Sequence, residues 1–160
     1  MKHAMGRTAL LALCLPLLLA GCGGEETAQA VPQEEIWAQV EQQLGSSLPS
    51  LMPVEEEQME QLYGIGDDEI EDFELHMAMM NVQADEILFA RVKSGQMETV
   101  KKAIEERAKQ LDEQWSTYLP DQHELVKNYI LEEKGDYVCF LIGTQADKIE
   151  TIWEESITQQ

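Results

Sequence analysis

The sequence predicts an α+β fold: an antiparallel four-stranded sheet, made of two hairpins, with helices packed on one face. Three observations predict it. Short segments that alternate apolar and polar, or run apolar without interruption, come in pairs joined by turns. A long amphipathic helical pattern separates the two pairs. Helical patterns also flank them on both sides, an order that suits helices gathered on one side of an antiparallel sheet.

The elements follow in chain order. Ile36, Trp37, Val40 and Leu44 form one stripe, so a first helix is expected from Glu34 to Leu44, with Gly45 as its stop. "SSLPSLMP" reads as a loop. "VEEEQMEQLYG" follows Pro53 as a second helix, its three glutamates suiting the positive end of the helix dipole and Gly64 suiting its C-terminal cap. In "DFELHMAMMN", Phe73, Leu75, Met77 and Met79 alternate with Asp72, Glu74, His76 and Ala78. That is a half-buried strand with the methionines inside and His76 outside. "NVQAD" turns into "EILFARV", a second and more apolar strand.

Met97, Val100, Ile104, Ala108, Leu111 and Trp115 mark one face of the longest helix, for which Ser94 is the expected N-cap. Glu98–Lys102 and Glu105–Lys109 are helix-supporting pairs four apart on the other face. Pro120 ends that helix and starts a short one through "DQHEL". A second hairpin is expected from Tyr129–Glu132 and Tyr137–Ile142, turning near Gly135. Thr144 then caps a last helix whose Ile149, Ile152, Trp153 and Ile157 share a face.

The first residues do not belong to this fold. Lys2, His3 and Arg7 precede an apolar run from Thr8 to Leu19, about a dozen residues long, which reads as an export leader. A membrane span needs roughly 20 apolar residues. Leu19-Ala20-Gly21-Cys22 resembles the lipobox of bacterial lipoproteins. That resemblance implies a diacylglyceryl group on the Cys22 thiol and cleavage before it, so that residues 1–21 leave. Two acyl chains give stable anchoring where one gives only marginal binding. Residues 22–33 then form a lipidated tether, and 34–160 a single α+β domain. At about 3.4 Å per residue the tether reaches at most roughly 35 Å.

Net charge is −20 over 160 residues. A surface that acidic repels phosphate backbones, which excludes nucleic acid as a partner. Apolar residues make up 44% of the chain, and the periodicity is clear, so disorder is not expected. Of the three cysteines, Cys14 goes with the leader and Cys22 carries lipid. Only Cys139 stays as a thiol, so the mature domain has no internal disulfide.

Several short motifs together resemble the bacterial lipoprotein family known as domain of unknown function 4358. They are Tyr63-Gly64-Ile65, Met80-Asn81-Val82 and Ala84-Asp85-Glu86, then Arg107 deep in the long helix. Tyr118 with Pro120, and Gly135 with Tyr137 and Val138, complete the set. The resemblance covers about residues 55–156. It implies a lipidated extracytoplasmic protein, typically of Gram-positive bacteria, and it supplies no activity, cofactor or catalytic residue.

The residues offer few sites for chemistry. His76 and His123 are the histidines of the mature chain and its weak metal candidates. "HMAMM" has the donors soft metals favour. Strand alternation, however, sends His76 and Met80 to one side and Met77 and Met79 to the other. "DDEIEDFE" lacks the spacing of a calcium loop. Cys139 lies in the apolar run "YVCFLI", where thiols are inert. No nucleophile elbow or phosphate-binding loop occurs. Glu86 opens an apolar strand, and Arg107 interrupts the long helix near its apolar face. They are either an ion pair across the sheet–helix boundary or two separate solvated charges.

The expectation is a non-enzymatic lipoprotein on the extracytoplasmic side of the cell membrane. It needs no catalytic residue and no cofactor beyond its covalent lipid. It is held to the membrane by its anchor and binds an envelope or membrane protein or another ligand. An enzyme acting on envelope material and a cation-binding accessory protein are the competing readings.

Overall fold

The computed structural model describes residues 30–158. The leader, Cys22 and most of the expected tether lie outside the described residues. Within them the chain forms α1 (Gln33–Leu44), a 3-10 turn (Gly45–Ser47), β1 (Leu51–Pro53), α2 (Glu56–Tyr63), β2 (Ile70–Ala78) and β3 (Glu86–Val92). It continues as α3 (Met97–Trp115), α4 (Pro120–Lys127), β4 (Ile130–Lys134), β5 (Tyr137–Ile142) and α5 (Ala146–Thr158). The fold is α+β, with a single antiparallel sheet in the order β1-β2-β3-β5-β4.

Two features differ from the expected architecture. The sheet has five strands rather than four. The extra one, β1, lies in the segment read as a loop and pairs Leu51 with Ala78 and Pro53 with His76. It has three residues, too few to show a period. Its proline is tolerated because an edge strand can spare a backbone donor.

Helices also cover both faces of the sheet rather than one. Leu88, Ala90, Val92, Val138 and Phe140 pack with α2, α3 and α4. The alternate residues Ile87, Phe89, Cys139 and Leu141 pack with Ile36, Trp37 and Val40 of α1 and Ile149, Ile152 and Trp153 of α5. β3 and β5 sit side by side at the centre, so they need apolar residues at consecutive positions, as "EILFARV" and "YVCFLI" have.

Local chemistry fixes the element ends. The Gln33 N–H at the start of α1 donates to Asp72 Oδ2 at 2.8 Å, which places a carboxylate at the positive end of the helix. α2 stops at Gly64, whose φ of 70° suits a residue without a Cβ. α3 begins after Gln96 with no side-chain cap, so Ser94 does not have the capping role its position implied. Leu119, at φ 47°, makes the sharp elbow into α4.

The sheet has two distinct ends. At the near end Ile70 opposes Val92, and Tyr137 opposes both Arg91 and Lys134. The described chain enters here: the Val31 N–H donates to the Tyr137 hydroxyl at 2.9 Å. At the far end Leu51 opposes Ala78, and Glu86 opposes Met77 and Ile142. α3 runs back from the near end, so Trp115 and the elbow after it also lie at the far end. The β2–β3 loop is pinned there by the Ala84 N–H, which donates to Gln122 Oε1 of α4 at 2.9 Å. Among the described residues no helix is long and apolar enough to cross a membrane.

Candidate functional site

Three elements bring ionisable groups together inside the far end. α2 carries Met59 and Tyr63 four residues apart, one turn of its buried stripe. β3 starts with Glu86. α3 places Arg107 beside Ile104, Ala108 and Leu111 on its buried face. Glu86 is 1% exposed and Arg107 8%.

The structure joins these groups. Arg107 Nε donates to Glu86 Oε1 at 2.9 Å and its Nη2 to Oε2 at 2.7 Å, a two-pronged ion pair. The Tyr63 hydroxyl donates to Oε1 at 2.5 Å. The guanidinium also lies 5.9 Å from the centre of the Tyr63 ring, within cation–π range. Burial, reinforced by the Glu86 charge, holds the Tyr63 hydroxyl well above its usual pKa, so it stays a donor. Burial works against the Arg107 charge, but the Glu86 hydrogen bond and charge outweigh it and raise its pKa. Both oxygens of the Glu86 carboxylate are thus engaged. The centre ties α2, β3 and α3 together.

Beside it opens a cavity of about 390 Å³ between the β2–β3 loop and α3. Leu62, Met77, Leu111 and Trp115 give it apolar walls, and Met79 and Met80 also line it. Asp85 lines it too. Asp85 is 8% exposed, and burial raises its carboxyl pKa. Apart from its own backbone N–H, no described group hydrogen-bonds to that carboxylate. It rests against Gly143, where a Cβ would come within 2.6 Å of Oδ1. Gly143 also has φ 151°, so it combines an unusual backbone with a close approach.

The other candidates lie apart. His76 is buried, contrary to its expected surface position, because α1 covers that face of β2. It stacks on Trp37 with ring centres 3.7 Å apart and meets Glu74 Oε1 at 2.5 Å. Met77 packs on the opposite core, whereas Met79, expected inside, is 62% exposed beyond the strand end. His123 contacts Asp112 Oδ1 at 2.6 Å across the α3–α4 packing, on the other face of the sheet from His76. Among the described residues no group of three His, Cys, Asp or Glu side chains is arranged to hold a metal. Cys139 is fully buried, and burial pushes its thiol far above the ordinary range.

The sequence model of one family, described as Domain of unknown function (DUF4358), matches residues 45–143. The chain belongs to the DUF4358 family. The match takes in all five strands with α2, α3 and α4, and leaves α1 and α5 outside it. It starts earlier and ends earlier than the 55–156 expected from the motifs. No curated protein and no solved structure matches the chain. In this DUF4358 chain, motif residues far apart in sequence meet at one place. Tyr63, Glu86 and Arg107 form the paired centre, and Asn81, Asp85, Glu86 and Arg107 line the cavity.

Sequence reasoning singled out Glu86 and Arg107 as site residues but not Tyr63 or Asp85. Tyr63 had a usable signal: a tyrosine on a buried helical stripe needs a partner for its hydroxyl. Asp85 had none, because an aspartate in a turn beside the backbone of Gly143 leaves no periodic pattern.

Proposed function

We propose that this protein is a lipid-anchored, extracytoplasmic, non-enzymatic binding domain whose envelope or membrane protein partner docks at the far end of the sheet. One observation carries this reading: the exposed large apolar side chains gather at the end opposite the chain's entry. Met79, Met80 and Val82 stand on the β2–β3 loop, with Met52 on the neighbouring edge strand. Tyr118 and Leu119 form the α3–α4 elbow, and Tyr129 precedes β4 at the same end. Such clustering marks interaction surfaces, and methionine adapts its shape to a partner. A tether attached at the near end would leave this apolar end free.

The test is photo-crosslinking in intact cells from a reactive residue at Val82, with Lys134 at the near end as comparison. Protein adducts from Val82 and none from Lys134 are expected. Adducts from Lys134 alone, or from neither, would overturn the docking assignment. Cys22→Ala should release the protein from the membrane fraction, and retention would reject the anchor.

A further inference from the structure

We propose that the cavity at the far end receives one apolar residue of the partner protein, whose backbone carbonyl accepts a hydrogen bond from Arg107 Nη1. The inference rests on the binding reading above and deepens it. A guanidinium carries five N–H donors, and Glu86 takes one from Nε and one from Nη2. Among the described residues none accepts from Nη1. Yet Nη1 is not one of the buried polar atoms left without a partner, which are Gln33 Oε1, Arg91 Nε, Trp115 Nε1 and Trp153 Nε1. It therefore lies where solvent reaches, in a side chain only 9% exposed. Arg107 lines the cavity, and the opposite edge of its guanidinium is turned to Glu86, so the cavity is the open space that Nη1 meets.

This donor is held in place before anything binds. Glu86 grips the guanidinium on two nitrogens and the Tyr63 ring lies within cation–π range, so little freedom is left to lose on binding. Around it Leu62, Met77, Leu111 and Trp115 supply apolar walls. A fixed donor among apolar walls is the usual make-up of a pocket that fits and orients one group. The cavity of about 390 Å³ exceeds the volume of one leucine residue. It opens beside the exposed Met79 and Met80, so a partner docked at the far end would close over it.

The acceptor that suits this donor is a neutral carbonyl. A carboxylate fits less well, because Glu86 already neutralises the guanidinium and a second anion would lie close to it in poorly hydrated surroundings. The net charge of −20 opposes an anion further. An ammonium fits worse, since it offers Nη1 no lone pair and meets a fixed positive charge. A peptide carbonyl accepts without adding charge, and in a protein it comes attached to a side chain that the apolar walls can hold.

The test uses the full chain in detergent, with isotope-labelled arginine side chains and methionine methyl groups as NMR reporters. The probes share one apolar body: isovaleramide, isovalerate and isobutylammonium. Saturable shifts of the Arg107 guanidinium and the Met77 methyl are expected with the amide, while Arg91 stays unmoved, and binding of either ion should be at least tenfold weaker. Arg107→Lys keeps a positive charge for Glu86 but has no Nη1, and it should weaken amide binding at least tenfold. An Arg107 guanidinium that does not respond to the amide, an ion that binds as well as the amide, or an unchanged titration in Arg107→Lys would overturn the proposal. The comparison of the three probes uses the unaltered protein, so it holds even if Arg107→Lys folds poorly. A crosslinked partner at Val82 without amide binding would overturn this pocket and leave the docking surface standing. Amide binding with no crosslinked partner would overturn the protein as occupant and mark the cavity as a site for free amides.

Discussion

Glu86 receives hydrogen bonds from Arg107 and Tyr63 on both of its oxygens, while Asp85, one residue earlier, receives none from any other described residue. Both acids are buried, and both line the same cavity. Glu86 is part of how the fold holds together, because its charge is answered from two helices. Asp85 has no such partner, and its carboxylate lies against the backbone of Gly143. Neighbouring buried acids can therefore stand in opposite electrostatic situations, and the hydrogen-bond partners, not the depth of burial, tell them apart.

The sharpest way to break this contrast is to remove the partner of Glu86. Arg107→Met strands a buried carboxylate and should destabilise the protein by about 3–5 kcal/mol, read by denaturant unfolding. Adding Glu86→Gln should recover part of that loss, because the uncompensated charge is then gone. A double mutant no more stable than Arg107→Met alone would show that the pair does not act as a unit. Tyr63→Phe comes next. It removes one hydrogen bond to a charged group, for a loss of about 1.5 kcal/mol, at the low end because Arg107 Nε still occupies the same oxygen.

Asp85→Asn should have the smallest effect on stability and the opposite sign, a slight rise in Tm at pH 7. The sign follows from linkage. The folded-state pKa of Asp85 is raised above 3.8, so the folded protein holds this proton more tightly than the unfolded chain. The resulting stabilisation is full below the unfolded pKa and is lost as pH rises through the folded one. The Tm difference between Asp85→Asn and the parent should therefore shift in favour of the parent as pH falls from 7 toward 4. A difference that stays constant over that range would erase the distinction between the two acids.

Much of the fold was legible because its elements carry strong periods. α3 shows a continuous apolar stripe from Met97 to Trp115, and the central strands are apolar at successive positions. Those same runs held the evidence for helices on both faces, but the acids of β2 pointed the other way. Asp72 and Glu74 look like a solvent face, yet α1 settles over them, with Asp72 bound to its first N–H and His76 beneath Trp37. β1 was invisible, since three residues with a proline hold no pattern. For the site, Glu86 and Arg107 stood out because charge interrupts an apolar context. Asp85 sits in a turn, where aspartate is ordinary. Its carboxylate lies against the backbone of Gly143, a contact that periodicity cannot reveal.

The opposed ends of the sheet also have a mechanical meaning. A pull between the chain's entry at Val31 and a partner held at the β2–β3 loop would run along the strands. The ladder hydrogen bonds lie across that direction, so many would be loaded together in shear instead of opening one at a time. α1 is held by the packing of Ile36, Trp37 and Val40 and by its bond to Asp72, with no ladder of its own. Under tension it would peel first, while the sheet and the far end kept their shape.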